Sequence, residues 1–444
     1  MTTYDATPYL DGNFAPVTEE LTATDLSVTG SIPAELEGRF VRNGPNPRTI
    51  PEADKHHWFL GEGMVHGIRL GGGKAQWYRN RYVAPEGSDI FGPNTHVIGH
   101  AGKTLAIVEG GPLPVELDDE LNFLGATNLG GLPSGFSAHP KLDPVSGELH
   151  AATYHWPDQL DKIHYVVVDT EGVVSKSIAI PAPKMPMIHD MALTQNYAAI
   201  FDLPVAVNIE MAMEGYTFPM AWDRDYESRV GLIPRTATTS DEIIWCEVDP
   251  IWVYHPMNSY DREDGAVVID VCEYDSMFDS DRNGPLRDSP PRLSRWVVDP
   301  STQKVSRETL DDATQEFPRV NDGVATLPYR YGYTSGGDES TLDWFATTIK
   351  HDLETQTRTV RAHGDGREPG EPVFVPREGA TAEDDGWLMM YVYDRGRDST
   401  DFVILDATDI TGDEVARIEL PQRCLLYTSP SPRDLSTSRM PSSA

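Results

Sequence analysis

Thirteen histidines are scattered through the 444 residues, and three of them stand in segments of one kind. These are FSAHPKLDP (His139), MIHDMALT (His189) and VYHPMNSYD (His255), each where a strand enters or leaves a turn beside Pro or Asp. An imidazole can exchange a proton near neutrality or offer a lone pair to a divalent metal. There is no HExxH pair and no Cys/His cluster, so a metal would have to be held by residues from distant segments. The three histidines follow one another at intervals of 50 and 66 residues. That is about one structural repeat each on the ~40 to 50 residue period of common propellers. Taken singly, each could equally be a core or turn histidine satisfied by its neighbours. Three at repeat-like intervals favour a shared site. Asp190 directly follows His189, and the sequence leaves its role open.

The elements that must position these residues are written as hairpins. The 37 Gly and 35 Pro are spread along the whole length. Between them run short, alternating stretches of β-branched and aromatic residues rather than long stripes of helical period. HYVVVDTEGVVSKSIAI, SRWVVDPSTQKVSRETL and TTIKHDLETQTRTVRAH share one scheme: an outgoing strand ending in Asp, a polar turn and a returning strand. Repetition at this spacing predicts an all-β propeller rather than a sandwich, with short helical insertions and loops capping the face that holds the site. PLPVELDDELNF and NIEMAMEGY are the expected helices. The Met- and aromatic-rich stretch 202–223 reads either as an insertion packed over the propeller or as an apolar lip that touches a membrane or admits an apolar ligand.

Composition narrows the partners. With 36 basic and 70 acidic residues the formal charge is −34, which repels nucleic acid and anionic lipid. Such a surface suits an apolar or neutral substrate, or a salty cytoplasm that screens self-repulsion, as in a halophilic source. Hydrophobic residues make up 39%, enough for a substantial core, yet no run approaches the ~20 apolar residues of a membrane span. The N-terminus has neither a basic start nor an apolar stretch, so no secretory signal is expected. Three cysteines without metal-type spacing fit a reduced, cytoplasmic setting.

Several motifs together carry a family resemblance. GRFVRNGPNPR, HHWFLGEGMVHGIRL, SAHPKLDPVSGELH, MIHDMALTQNYAAIFDLPV, VYHPMNSYD, EFPRVN and GEPVFVPREGATAEDDGWLMMYVYD occur in family order from about Gly38 to Arg423. The chain resembles the carotenoid cleavage oxygenases, a group of non-haem iron enzymes. The resemblance implies a seven-bladed propeller with four axial histidines holding Fe(II), three of which fall on His139, His189 and His255. It also implies three glutamates that hold the ring N–H groups of those ligands, at Glu109, Glu316 and Glu371; an acceptor there would fix tautomer and orientation. The family reaction uses dioxygen to split one C=C bond of an apolar small molecule into two carbonyl products. A carotenoid or apocarotenoid is the first expectation. The runner-up is a phenolic stilbene gripped by Tyr82 and Lys103, and the aromatics of HHWF, GYTFPMAW and YRYGYT are candidates to line the tunnel. A non-catalytic propeller that binds an apolar ligand, and an isomerase or hydrolase on the same iron site, are the alternatives. The oligomeric state is not legible.

The C-terminal end departs from the pattern. The family's fourth histidine follows the last hairpin, but no histidine follows His363 in this chain. His351 and His363, in a hairpin and its turn, are poor substitutes. Residues 1–423 therefore read as one propeller domain lacking its closing C-terminal strand. Residues 424–444, CLLYTSPSPRDLSTSRMPSSA, read as an unstructured, non-native-looking tail.

Overall fold

The computed structural model describes residues 8–49, 56–90, 92–285, 288–338 and 343–425. The expected hairpins form, and the Asp that ends each outgoing strand explains the turns. Asp169 follows Lys162–Val168, and its carboxylate accepts the backbone N–H groups of Glu171 (3.1 Å) and Val173 (2.9 Å). Asp299 accepts those of Ser301 and Thr302, and Asp352 those of Glu354 and Thr355. A short side-chain acceptor thus substitutes for the ladder where the chain must reverse.

The hairpins assemble into an all-β, propeller-like arrangement. Five sheets of four to six strands stand separately, and one further sheet has eight. The larger sheets are therefore fewer than the seven blades the resemblance implies, because one of them runs to eight strands. The eight-stranded sheet is joined across its middle by a single parallel pair, Glu247 with Lys304. Several strands are buried on both faces, so they read as apolar runs. Val267–Tyr274 is buried throughout, and its Asp270 is tolerated because Arg295 meets it with two 2.8 Å bonds.

The last sheet is completed by the N-terminal part of the chain. Ser27–Gly30 pairs antiparallel with Ala416–Glu419, and covers the outer edge expected to be left open. Gly30 has a φ of +85°, and a Cβ there would lie 2.4 Å from the Val415 carbonyl oxygen. Cys424 and Leu425 also belong to the packed fold. Both are buried, and the Cys424 N–H donates to Thr400 Oγ1 at 2.9 Å, so the boundary drawn at Arg423 falls two residues early. The rest of the expected tail, 426–444, lies outside the described residues.

Of the two expected helices, NIEMAMEGY holds a short one, Ile209–Met213, capped by Asn208 through Met211 N–H. PLPVELDDELNF instead supplies the strand Val115–Leu117 and a turn. In that turn the Asp118 carboxylate accepts the N–H groups of Glu120 and Asn122, which outweighs the helical periodicity. No helix among the described residues is long and apolar enough to cross a membrane.

The closure makes a stability prediction. Gly30→Ala meets both the positive φ and the Val415 carbonyl, and strain of this kind costs about 1–3 kcal/mol. Gly87→Ala shares a positive φ but meets nothing within 4 Å. Thermal unfolding is expected to show a clearly lower Tm for Gly30→Ala than for Gly87→Ala, and equal losses would refute a tight closure.

Candidate metal centre

His139 and His189 each stand just ahead of an inner strand, Lys141–Leu142 and Met191–Leu193, and His255 lies within Trp252–Asp261. His139 and Asp190 form an isolated parallel bridge that sets the first two segments side by side. The three buried rings converge. Their Nε2 atoms stand 3.1 Å (His139 to His189) and 3.2 Å (His189 to His255) apart, and the ligand atoms of all three lie within 4.8 Å of one another.

Carboxylates orient two of the rings from behind. Glu109 accepts His189 Nδ1–H, and Glu316 accepts His255 Nδ1–H at 2.7 Å. Each carboxylate is held in turn by a tyrosine, Tyr154 O–H to Glu109 (2.9 Å) and Tyr274 O–H to Glu316 (3.0 Å). Gly110, at φ +56°, admits this approach, since a Cβ there would come within 2.9 Å of the Tyr154 ring. Burial keeps both phenols protonated, and the neighbouring carboxylates reinforce it. With Nδ1 committed as a donor, Nε2 keeps its lone pair and faces the common centre.

The electrostatics fit this arrangement. Burial pushes the pKa of His139 well down, and the neighbouring imidazoles push the same way. Burial also works to lower that of His255, but the carboxylates of Glu316, Asp190 and Glu371 together outweigh it, Glu316 foremost, and the net shift is upward. Three lone pairs aimed at one point repel unless a cation stands between them. The donor set of three imidazoles suits a divalent transition metal.

The role of Asp190 is now clear. It is buried, pairs with Lys141 Nζ at 2.8 Å and accepts Met191 N–H at 2.6 Å, tying the strand of His139 to that of His189. Glu371 takes a different position from the other two glutamates. Its Oε1 accepts from Arg319 at 3.1 Å, while Oε2 is buried with no hydrogen-bond partner among the described residues. Tyr82 and Lys103 are not part of this cluster. The Tyr82 hydroxyl accepts from Asn46 and its ring lies under Arg48, while Lys103 at a hairpin turn pairs with Glu116. His351 and His363 are likewise spent elsewhere, on Gln315 and Thr348.

The centre has two unlike sides. Residues that follow the ligands along their strands, including Lys141, Ala192 and Met257, line with Phe317 and Arg319 a cavity of about 460 Å³ that reaches His139, His255 and Glu371. The other side is aromatic. Phe59 stacks toward His189 at 6.5 Å between centroids, Tyr254 meets that ring edge-on at 4.9 Å, and Phe218 and Phe278 pack behind Phe59. HHWF and GYTFPMAW thus meet beside the centre through Phe59 and Phe218. YRYGYT does not: Tyr329 bonds to Asp270, and Tyr333 stacks on Phe374 in another cluster.

Known proteins resemble this chain in sequence and in fold. The chain belongs to the retinal pigment epithelial membrane protein family, whose sequence model matches residues 14–426. A carotenoid cleavage oxygenase of Mycobacterium tuberculosis is 39% identical, over 94% of this chain and 95% of its own. A carotenoid 9,10(9',10')-cleavage dioxygenase of Crocus sativus is 31% identical, over 94% and 87%. The crystal structure of Pseudomonas brassicacearum lignostilbene dioxygenase superposes with a TM-score of 0.86 at 26% identity, covering 97% of this chain and 99% of that one. A cobalt-substituted Synechocystis ACO gives 0.82 at 26% identity, over 94% and 97%.

The carboxylate behind each ring yields a measurable expectation. Glu316→Gln keeps an acceptor for His255 Nδ1–H but removes the charge that raises the ring's basicity. Losses of about 10 to 100-fold in metal affinity are usual for such partners. Titration with Co(II) is expected to show a loss of that order at unchanged Tm, and wild-type affinity would detach Glu316 from the centre.

Proposed function

We propose that the protein is a non-haem iron(II)-dependent dioxygenase that splits a C=C bond of a carotenoid or apocarotenoid into two carbonyl products. The observation that carries this reading is the convergence of three imidazoles, two of them held by carboxylates, beside an aromatic cluster. His139, His189 and His255 would hold the iron through Nε2. When bound, iron in an all-nitrogen site retains its full charge and supplies the redox chemistry for using dioxygen on the alkene. The chain's own residues do the rest. Glu109 and Glu316 keep two rings oriented, while Phe59, Tyr254, Phe218 and Phe278 exclude water and offer faces to a conjugated chain. Glu371, whose buried Oε2 has no hydrogen-bond partner among the described residues, is set to accept an N–H from a further ring at the centre.

The position of Tyr82 and Lys103, both engaged elsewhere, favours a carotenoid or apocarotenoid over a stilbene gripped by that pair. The single-pair join at Glu247 and Lys304 supports counting the eight-stranded sheet as two blades, which gives seven radial units. Ile209 (54% exposed) and Met213 (84%) on the short helix support an outward apolar lip, because Phe218 of the same segment faces the aromatic cluster.

The test uses iron-reconstituted protein, an all-trans apocarotenal and isotopically labelled dioxygen. Two carbonyl products, each carrying one labelled oxygen, are expected, and His189→Ala is expected to abolish both iron retention and turnover. Tight polyene binding without cleavage by the iron-loaded protein would instead support a binding module. Flotation with neutral vesicles tests the lip: Met213→Glu is expected to reduce co-migration, and equal flotation would remove the lip from membrane contact.

A further inference from the structure

We propose that His57 is the polar anchor of the aromatic side of the site, a neutral imidazole whose Nε2–H donates to an oxygen at the end of an otherwise apolar substrate. The proposal rests on the dioxygenase reading for the kind of ligand, but the donor is argued from its own surroundings. The Phe59 backbone N–H donates to His57 Nδ1 at 3.1 Å. A nitrogen that accepts carries no proton, so the proton of the neutral ring sits on Nε2. That nitrogen is fully buried and has no hydrogen-bond partner among the described residues. Burial, reinforced by the adjacent His56, pushes the pKa of this ring well down, so it stays neutral.

The surroundings point the donor to a ligand. His57 stacks on Phe218 at 3.9 Å and meets Phe59 and Phe278 edge-on. Phe59 is also the ring that faces His189, so His57 stands one aromatic ring away from the metal centre. These rings offer π faces but no oxygen to accept an N–H. A buried donor left unpaired in such a place is costly, and a substrate oxygen would satisfy it. A polyene aldehyde or ketone brings a conjugated chain for the rings and an acceptor-only oxygen for Nε2–H. A hydrocarbon of the same length brings only the chain.

The experiment measures binding to the metal-free full chain by quenching of tryptophan fluorescence, with an all-trans apocarotenal and the hydrocarbon of matching length. A hydrogen bond of this kind corresponds to a preference of about 10-fold for the aldehyde. His57→Phe keeps the stacking and removes the donor, and is expected to erase that preference while leaving hydrocarbon affinity unchanged. His57→Gln restores an N–H near the same place and is expected to recover most of it. An unchanged preference in His57→Phe would overturn the proposal, as would equal weakening of both ligands, which marks a packing role. Binding of neither polyene to the wild type would overturn it too. An aldehyde preference in a protein that cleaves nothing when iron-loaded would defeat the dioxygenase reading and leave the anchor standing.

Discussion

Three imidazoles cannot be packed into an apolar interior with their lone pairs facing one another unless something orients them from behind. That constraint governs the molecule. Glu109 and Glu316 meet it for His189 and His255, and each carboxylate is kept in place by a tyrosine. Every member of these chains is buried or nearly so, where a hydrogen bond is strong and an unmade one is costly. Tyrosine, glutamate and histidine therefore act as linked units. The fold around them is a means of bringing five distant segments to one point.

The propeller-like arrangement suits this task because its inner strands start side by side. A ligand placed ahead of or within such a strand reaches a common centre, and the residues on either side of it serve different ends. Those that follow it along the strand line a mixed apolar and charged cavity. The loops and the insertion that cap the other face supply aromatic rings. The same histidines thus face a charged interior on one side and a dry one on the other.

Much of this was legible because it is local. An Asp at the end of an outgoing strand caps its own turn, so the hairpins could be read from a few neighbouring residues. The three histidines were legible through their spacing and motif context. What escaped the sequence depends on long-range partners. Tyr154 and Tyr274 lie 45 and 42 residues from the carboxylates they hold, and nothing near either one marks it. Arg319 reaches Glu371 across 52 residues, and Lys141 reaches Asp190 across 49. Tyr82 and Lys103 were placed near a phenol on family grounds, but a hairpin turn and a nearby asparagine claim them first. The strand that covers the last sheet was missed because SVTG is short, exposed along its length and far from its partner.

The pairing of Ser27–Gly30 with Ala416–Glu419 has a consequence for how the chain is made. A ribosome delivers the first of these segments almost four hundred residues before the second. Blades built from consecutive hairpins can form as they emerge, but the circle has no fastening until Ala416–Glu419 has been made. During that interval the nascent chain exposes both unpaired ends of its ring, each an edge that another molecule could extend. The short, polar character of the N-terminal segment limits that exposure. The dense negative charge of the chain as a whole would also keep neighbouring nascent chains on a polysome apart while Ala416–Glu419 is still inside the exit tunnel.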